Sequence, residues 1–319
     1  VAGVLVGDVG GTNARFALAD WAEGRLVLSR VELHAGEAFA TFEDAVGHYL
    51  DATGLKPAGA CIAVAGPVRD GAAHLTNRDW RVSEAVLRDR FGIAAPLVIN
   101  DFLAMARSVP EMGPESFEEV YDGEAVAGAP LIVAGPGTGF GVSTLVPSPK
   151  GWTVLAGEGG HIAYAPRTAL ERELAAVLAR DHGYVSNELV ASGSGLDEVH
   201  AALSEIRGVP CAKMTAAEMQ AKADAGDGFF AELAQVRALA VMGAVGDLAL
   251  ANGALGGVVL AGGVSERLAA YFRLPAMRER FVARGPMSDY LARCPVRLLR
   301  NPEAPLIGAA AHYAQVHGV

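Results

Sequence analysis

Two widely separated stretches of this chain repeat one design, and that repeat constrains the fold more than any single motif. In the first, residues 4–10 and 14–19 read as strands joined by the turn Gly11-Thr12-Asn13, with a third strand over residues 26–33. In the second, residues 130–134 and 140–147 flank the turn Gly135-Pro136-Gly137-Thr138-Gly139, with a third strand over residues 152–156. Helices alternating with single apolar strands follow each meander: strands over 61–65 and 97–99 in the first half, and over 258–261 and 296–299 in the second. Helical spacing is clearest over 42–50, over 84–91 with Ser83 as the cap, over 170–178 and over 229–250.

A doubled βββαβαβα pattern with a glycine-rich hairpin in each copy describes an α/β fold of the two-lobed, actin-like ATPase (ribonuclease H-like) kind, in which an interlobe cleft holds a nucleotide between the hairpins. The length of 319 residues fits two domains. No Pro- or Ser-rich linker separates them, and the crossing is expected near residues 109–115. The expected division is a small domain over 1–110 and a large one over 111–299.

Composition narrows the function. Hydrophobic residues make up 51% and charged residues 19%, unlike a disordered chain. A net charge of −10 argues against a nucleic-acid partner, because phosphate backbones require a basic footprint. Cys61, Cys211 and Cys294 are odd in number and far apart, so neither a disulfide framework nor a metal knuckle is expected, and the compartment is read as reducing and cytoplasmic. Residues 1–6 are expected to be a strand rather than a targeting signal, since no basic residues precede them and Gly7-Asp8 interrupts them. The stretch 238–264 imitates a membrane span, but Asp247, Asn252 and its glycines suit a buried helix capped at Asn252-Gly253 and then a buried strand. No membrane partner is expected.

Glycine beside phosphate removes side-chain bulk and lets backbone N–H groups reach the oxygens. The run from Gly135 to Gly141 contains a formal dinucleotide fingerprint, but that motif needs a helix after the loop, and Phe140 to Val146 reads as strand. A Walker loop fails too, because none of Lys56, Lys150, Lys213 and Lys222 follows a glycine. Asp8, at the end of an apolar strand before Val9-Gly10-Gly11-Thr12-Asn13, has no evident structural partner. An acid there suits a water-mediated Mg²⁺ shell that screens a triphosphate, with Gly10 and Gly11 admitting phosphates and Thr12 and Asn13 hydrogen bonding.

The pair Asn100-Asp101 ends a buried strand and starts a helix. Asp101 reads as the helix N-cap, and equally as a carboxylate able to take a proton from an attacking hydroxyl while Asn100 holds a neighbouring one. Glu158 and His161 flank two glycines after a strand, and Glu188 lies at a helix start before Ser192-Gly193-Ser194-Gly195. A structural zinc at His161 is not expected, for lack of cysteines nearby.

Taken in order, these motifs resemble the bacterial glucokinase family of hexokinase-like kinases. The match runs through Gly7-Asp8-Val-Gly-Gly-Thr-Asn13-Ala-Arg15, Ala65-Gly-Pro67, Leu75-Thr76-Asn77 with Trp80, and Ile99-Asn-Asp-Phe102. It continues through Gly135 to Gly139, Gly157 to His161, Val185 to Glu188, and Ala261-Gly262-Gly263. The resemblance implies ATP and Mg²⁺ without zinc, Asp101 as the base toward the 6-hydroxyl of glucose, and Asn100, Asp101, Glu158, His161 and Glu188 as hydroxyl-binding residues. It implies a phosphate grip made of Gly7, Asp8, Gly10 to Asn13 and Gly137 to Gly139, an adenosine end at Gly262 and Gly263, a homodimer, and a small lobe completed by a C-terminal helix within about residues 300–319. Two departures stand out: Ser194 where the family often has proline, expected to affect the following helix start, and Leu103-Ala104 after Asp101. The cysteine cluster of the related ROK kinases is missing after His161. The alternatives are a kinase for mannose or fructose, and a sugar-sensing regulator without turnover, for which no DNA-reading module is seen.

Overall fold

The computed structural model describes residues 3–75, 79–149 and 151–318, and its internal packing divides it into two compact units. The first contains Val1–Pro114, Ser148–Val154 and Asn301–Val319; the second contains Glu115–Pro147 and Leu155–Arg300.

The first unit begins with the meander β1 (Val4–Val9), β2 (Asn13–Ala22) and β3 (Arg25–Ala35). Then come α1 (Phe42–Thr53), β4 (Gly59–Val64), β5 (Ala72–Leu75), β6 (Trp80–Ser83), α2 (Glu84–Phe91), β7 (Ala95–Asn100) and α3 (Asp101–Ser108). The main sheet has the order β3-β2-β1-β4-β7, with β1, β4 and β7 parallel. Side chains alternate along a strand, which fixes what each face of β1 meets. Leu5 and Val9 join Phe16, Phe42, Tyr49 and Trp80 in one core layer, while Val4 and Val6 join Ala17 and Ala63 in the opposite one. Burying each such large apolar side chain contributes roughly 1.5–3 kcal/mol. The ends of α1 are set locally: Thr41 and Asp44 form a capping box, and Gly54 stops the helix in the left-handed conformation.

The second unit holds β8 (Phe117–Tyr121), β9 (Leu131–Pro136), β10 (Phe140–Ser148), β11 (Gly151–Gly157), α4 (Ala169–His182), α5 (Asn187–Ala191), α6 (Leu196–Arg207), α7 (Ala216–Asp224) and α8 (Gly228–Ala251). It continues through β12 (Gly257–Leu260), α9 (Gly263–Arg267), α10 (Ala269–Phe272), α11 (Pro275–Val282), α12 (Ser288–Ala292) and β13 (Val296–Leu299). Its sheet runs β11-β10-β9-β12-β13-β8, so the first five strands repeat the order found in the first unit. The tip of the β10–β11 pair, Ser148–Val154, is grouped with the first unit. Helix α8 is long and apolar enough to cross a membrane, yet 78% of its most apolar window is buried, largely in the core of its own unit. The expected buried helix, ended by Asn252 with Gly253 left-handed and followed by a buried strand, is what forms.

The chain returns to the first unit with α13 (Ala304–His317), which packs on α3, β1 and β4. Leu306, Ala309, Ala310 and Tyr313 complete the layer that contains Val4 and Val6. Strands β5, β6 and β8 were not expected: the first two are four residues long, and β8 carries Glu118 and Glu119 in its middle.

Candidate active site

In the first unit the parallel strands end level. Val9 on β1 is paired with Val64 on β4, and Val64 with Asn100 on β7. The carboxyl ends of parallel strands are where open α/β sheets hold functional groups, and Asp8, Asn100 and Asp101 all lie there. Alternation puts Asp8 on the Val4 and Val6 face, the side on which α3 and α13 pack. Asp101 is the first residue of α3. The two carboxylates are electrostatically coupled: burial, and then the negative charge of Asp8, push the Asp101 carboxyl up to about 7, against hydrogen bonds from backbone N–H groups and Asn100. Asp8 is raised as well, by burial, with Arg15 opposing the shift from the register position opposite it on β2.

Two sequence expectations change here. The N-cap of α3 is Asn100, not Asp101: Asn100 Oδ1 accepts from the N–H groups of Phe102 (2.9 Å) and Leu103 (3.2 Å), and Nδ2 donates to the Gly66 carbonyl (3.0 Å). The cap is the residue that still has extended backbone, and that is Asn100 with ψ 145°. Asn100→Ala should therefore lower stability by about 1 kcal/mol; an unchanged urea midpoint would refute the capping role. Gly7, expected in the phosphate grip, points the other way. A side chain there would run into Ile62 and Phe16, so it is a packing glycine of the core. The turn proper is closed by the Gly10 N–H on the Asn13 carbonyl and anchored by the Gly36 N–H on the Thr12 carbonyl, both 2.9 Å. Of the motif Leu75-Thr76-Asn77, Thr76 and Asn77 lie outside the described residues, while Trp80 is buried and donates to the Ala40 carbonyl.

In the second unit β9 extends through Pro136, so the turn before β10 is only Gly137-Thr138-Gly139. Glu188, near the start of α5, accepts from the Phe140 N–H at 2.7 Å, just past that turn. His161 Nε2 lies 3.8 Å from Glu188 Oε1. Backbone straps bring the two segments together: Tyr164 N–H to Val185 O and Asn187 N–H to Ile162 O, each 2.9 Å, with Tyr184 Oη donating to the His161 carbonyl. Glu158 is exposed, and its backbone carbonyl accepts from the His161 N–H. Gly262, with φ 88°, precedes α9 so closely against the turn that a Cβ would stand 2.8 Å from the Pro136 carbonyl oxygen. Gly263 opens α9. A small cavity beside the turn is lined by Gly193, Leu196, Gln220, Arg237, Val264 and Arg267.

The glucokinase family model matches residues 5–316. A glucokinase of Caulobacter sp. (strain K31) is 42% identical over 308 residues, covering 96% of this chain and 93% of the relative. The chain belongs to the glucokinase family. A solved glucokinase from an Antarctic psychrotroph superposes with a TM-score of 0.88 at 36% identity, covering 100% of both chains. A glucokinase from Balamuthia mandrillaris, solved with glucose, superposes at 0.81 with 22% identity, covering 98% of this chain and 93% of that one, a likeness of fold. The α/β fold is that of the actin-like ATPases to which these sugar kinases belong.

Within this glucokinase-family unit, sequence reasoning missed the supports of the turn. Arg237, buried in α8, donates to the carbonyls of Ala191 (3.0 Å) and Ser192 (2.9 Å), while burial pulls its guanidinium down to about 10. The signal was there: an arginine in a largely apolar helix requires a partner. Gly193 N–H and Ser194 N–H donate to the carbonyls of Gly137 (2.8 Å) and Thr138 (3.0 Å).

Proposed function

We infer that this protein is an ATP-dependent hexose kinase that transfers the γ-phosphoryl group of ATP to the 6-hydroxyl of glucose, with Asp101 as the general base. The observation that carries the catalytic part is the Asp101 carboxyl, raised to about 7 at the carboxyl end of a parallel strand. A base poised near the working pH combines adequate ionisation with proton affinity. Family membership supports glucose as the acceptor.

Roles divide by unit. In the first, Asp101 takes the hydroxyl proton, Asn100 offers its remaining N–H to a neighbouring hydroxyl, and the turn Gly10-Gly11-Thr12-Asn13 holds phosphate. In the second, Glu188, His161 and Glu158 read sugar hydroxyls, Gly137-Thr138-Gly139 holds phosphate, and the cavity beside Gly262 and Gly263 receives the adenosine. Phosphoryl transfer needs little covalent chemistry from the protein, so positioning and charge stabilisation account for most of the rate.

The donor set at Asp8 suits Mg²⁺. No group of three or more metal-binding side chains exists among the described residues, so there is no all-protein cage. Mg²⁺ typically keeps its waters and is held by one or two carboxylates together with substrate phosphates. A half-buried carboxylate whose charge is disfavoured by desolvation, such as Asp8, is a group that a divalent cation would relieve. When bound, the ion would screen the phosphate oxygens. The same reading makes the protein a cytoplasmic homodimer with a small and a large domain.

A test of the phosphate role is available at Gly137. A Cβ there meets nothing within 4 Å, so Gly137→Ala should fold normally. The methyl group would nevertheless stand where phosphate must approach the backbone, and the KM for ATP should rise several-fold while that for glucose stays put. An unchanged KM for ATP would remove the turn from the nucleotide site.

A further inference from the structure

We propose that Ser194 is a positioning residue for the phosphate turn, acting through its backbone N–H rather than its side chain; this rests on the phosphate role of Gly137-Thr138-Gly139 given above. The sequence suggested that serine, standing where the family often has proline, would alter the start of α6. The hydrogen bonds lead elsewhere. Ser194 N–H donates to the Thr138 carbonyl at 3.0 Å, and Gly193 N–H donates to the Gly137 carbonyl at 2.8 Å. Proline has no N–H, so the first of these bonds exists only because residue 194 is not proline.

The consequence follows from peptide geometry. A trans peptide group is flat, and its C=O and N–H point in opposite directions; there are no cis peptide bonds among the described residues. Holding the Gly137 carbonyl toward the Ser192-Gly195 loop turns the Thr138 N–H away from that loop. Holding the Thr138 carbonyl likewise turns the Gly139 N–H away. Each bond from the loop therefore aims one backbone donor, and neither donor has a protein acceptor among the described residues. Two adjacent N–H groups pointing out of a glycine-rich turn form an anion cradle. The remaining donor of the turn, Gly137 N–H, is already used on the Gly139 carbonyl at 2.8 Å.

The loop can act as a splint because it is itself held. Arg237 grips the Ala191 and Ser192 carbonyls from the buried side. Ser192 Oγ accepts from the Gly195 N–H at 3.3 Å, a brace that does not involve the Ser194 side chain. At the other end of the same segment, Glu188 holds the Phe140 N–H. Both sides of the turn are thus fixed from one short stretch, and Ser194 supplies the contact that orients the Gly139 donor.

The test separates the N–H from the hydroxyl. Ser194→Pro removes the N–H, whereas Ser194→Ala keeps it and loses the hydroxyl, whose contact is with Ser192 Oγ at 2.9 Å inside the same loop, while the bond from Gly195 N–H to Ser192 Oγ remains. By calorimetry, Ser194→Pro should bind AMPPNP about three- to tenfold more weakly, the span expected for one hydrogen bond. Adenosine, which has no phosphates, should bind both variants as it binds the parent protein. Ser194→Ala should match the parent protein with both probes. Equal AMPPNP affinity in a folded Ser194→Pro protein, or an equal loss in Ser194→Ala, overturns the proposal. If Gly137→Ala weakens AMPPNP binding while Ser194→Pro does not, the phosphate turn stands and the splint falls; if Gly137→Ala has no effect, both fall. The unsubstituted protein provides an independent measurement by NMR: the Ser194 amide should exchange slowly with solvent, and fast exchange with and without AMPPNP overturns the proposal too.

Discussion

Asp101→Asn should lower kcat by roughly 10²–10⁴-fold, the usual contribution of a general base, while the KM for glucose changes only a few-fold. The substitution keeps the shape of the side chain and an oxygen that can accept from the Phe102 N–H, which Asp101 Oδ1 now does at 2.8 Å. Helix α3 should survive because its cap is Asn100. Loss of rate would then report the proton acceptor alone, and wild-type turnover in the folded variant would end the general-base assignment. Stability should move the opposite way. The Asp101 carboxyl rises from an ordinary 3.8 to about 7 on folding, because burial and the charge of Asp8 disfavour ionisation. A group raised in this way stabilises the fold fully below its unfolded pKa, and that contribution is lost as pH rises through the folded value. The variant has no such loss, so its Tm should exceed that of the parent protein at pH 8, with the gap closing toward pH 4. In the active enzyme kcat/KM for glucose should rise with pH along an acid limb, as the base ionises. Mg²⁺ at Asp8 would offset one of the two causes of the raised value and place that limb below its metal-free position.

Asp8→Ala should reduce kcat/KM for Mg-ATP by about 10²–10³-fold, the scale for removing one charge-stabilising group. Glucose affinity, measured by calorimetry without nucleotide, should be nearly unchanged. Because the charge of Asp8 helps to raise the Asp101 carboxyl, its removal should also shift the acid limb to lower pH. That shift marks electrostatic coupling between the two acids, which a generally damaged protein would not reproduce. An equal loss of glucose binding in a folded protein would contradict the assignment of Asp8 to phosphate and metal.

Local signals carried most of the fold. Ser83 caps α2 and the helix runs over Glu84–Phe91, as its spacing requires. The long apolar run became α8 and its Asn-Gly end became the cap. Both meanders were visible because their strands alternate around glycine turns. What escaped was either short, like β5 and β6, or decided by partners distant in the chain. Asn100 and Asp101 are equally good caps on paper; the backbone, and the Gly66 carbonyl waiting for Asn100 Nδ2, make the choice. Gly7 was read with its motif as a phosphate contact, although strand alternation from Asp8 already puts it on the other face. The grip of Arg237 on residues 191 and 192, and of residues 193 and 194 on the turn, joins segments tens of residues apart, and no spacing within either segment records it.

The matching strand orders of the two sheets bear on descent. Asp8 stands one residue before the end of β1, and the corresponding place before the end of β9 is Gly135. A Cβ at Gly135 would lie 1.7 Å from the backbone carbonyl oxygen of Ala261. If the halves arose by copying, the copies have parted at this position: no single mutation can return an acid to residue 135 without first displacing the chain after β12. The asymmetry between a charged hairpin and a bare one is thus a ratchet, held by a neighbour's main chain, which point mutation of the neighbour cannot remove.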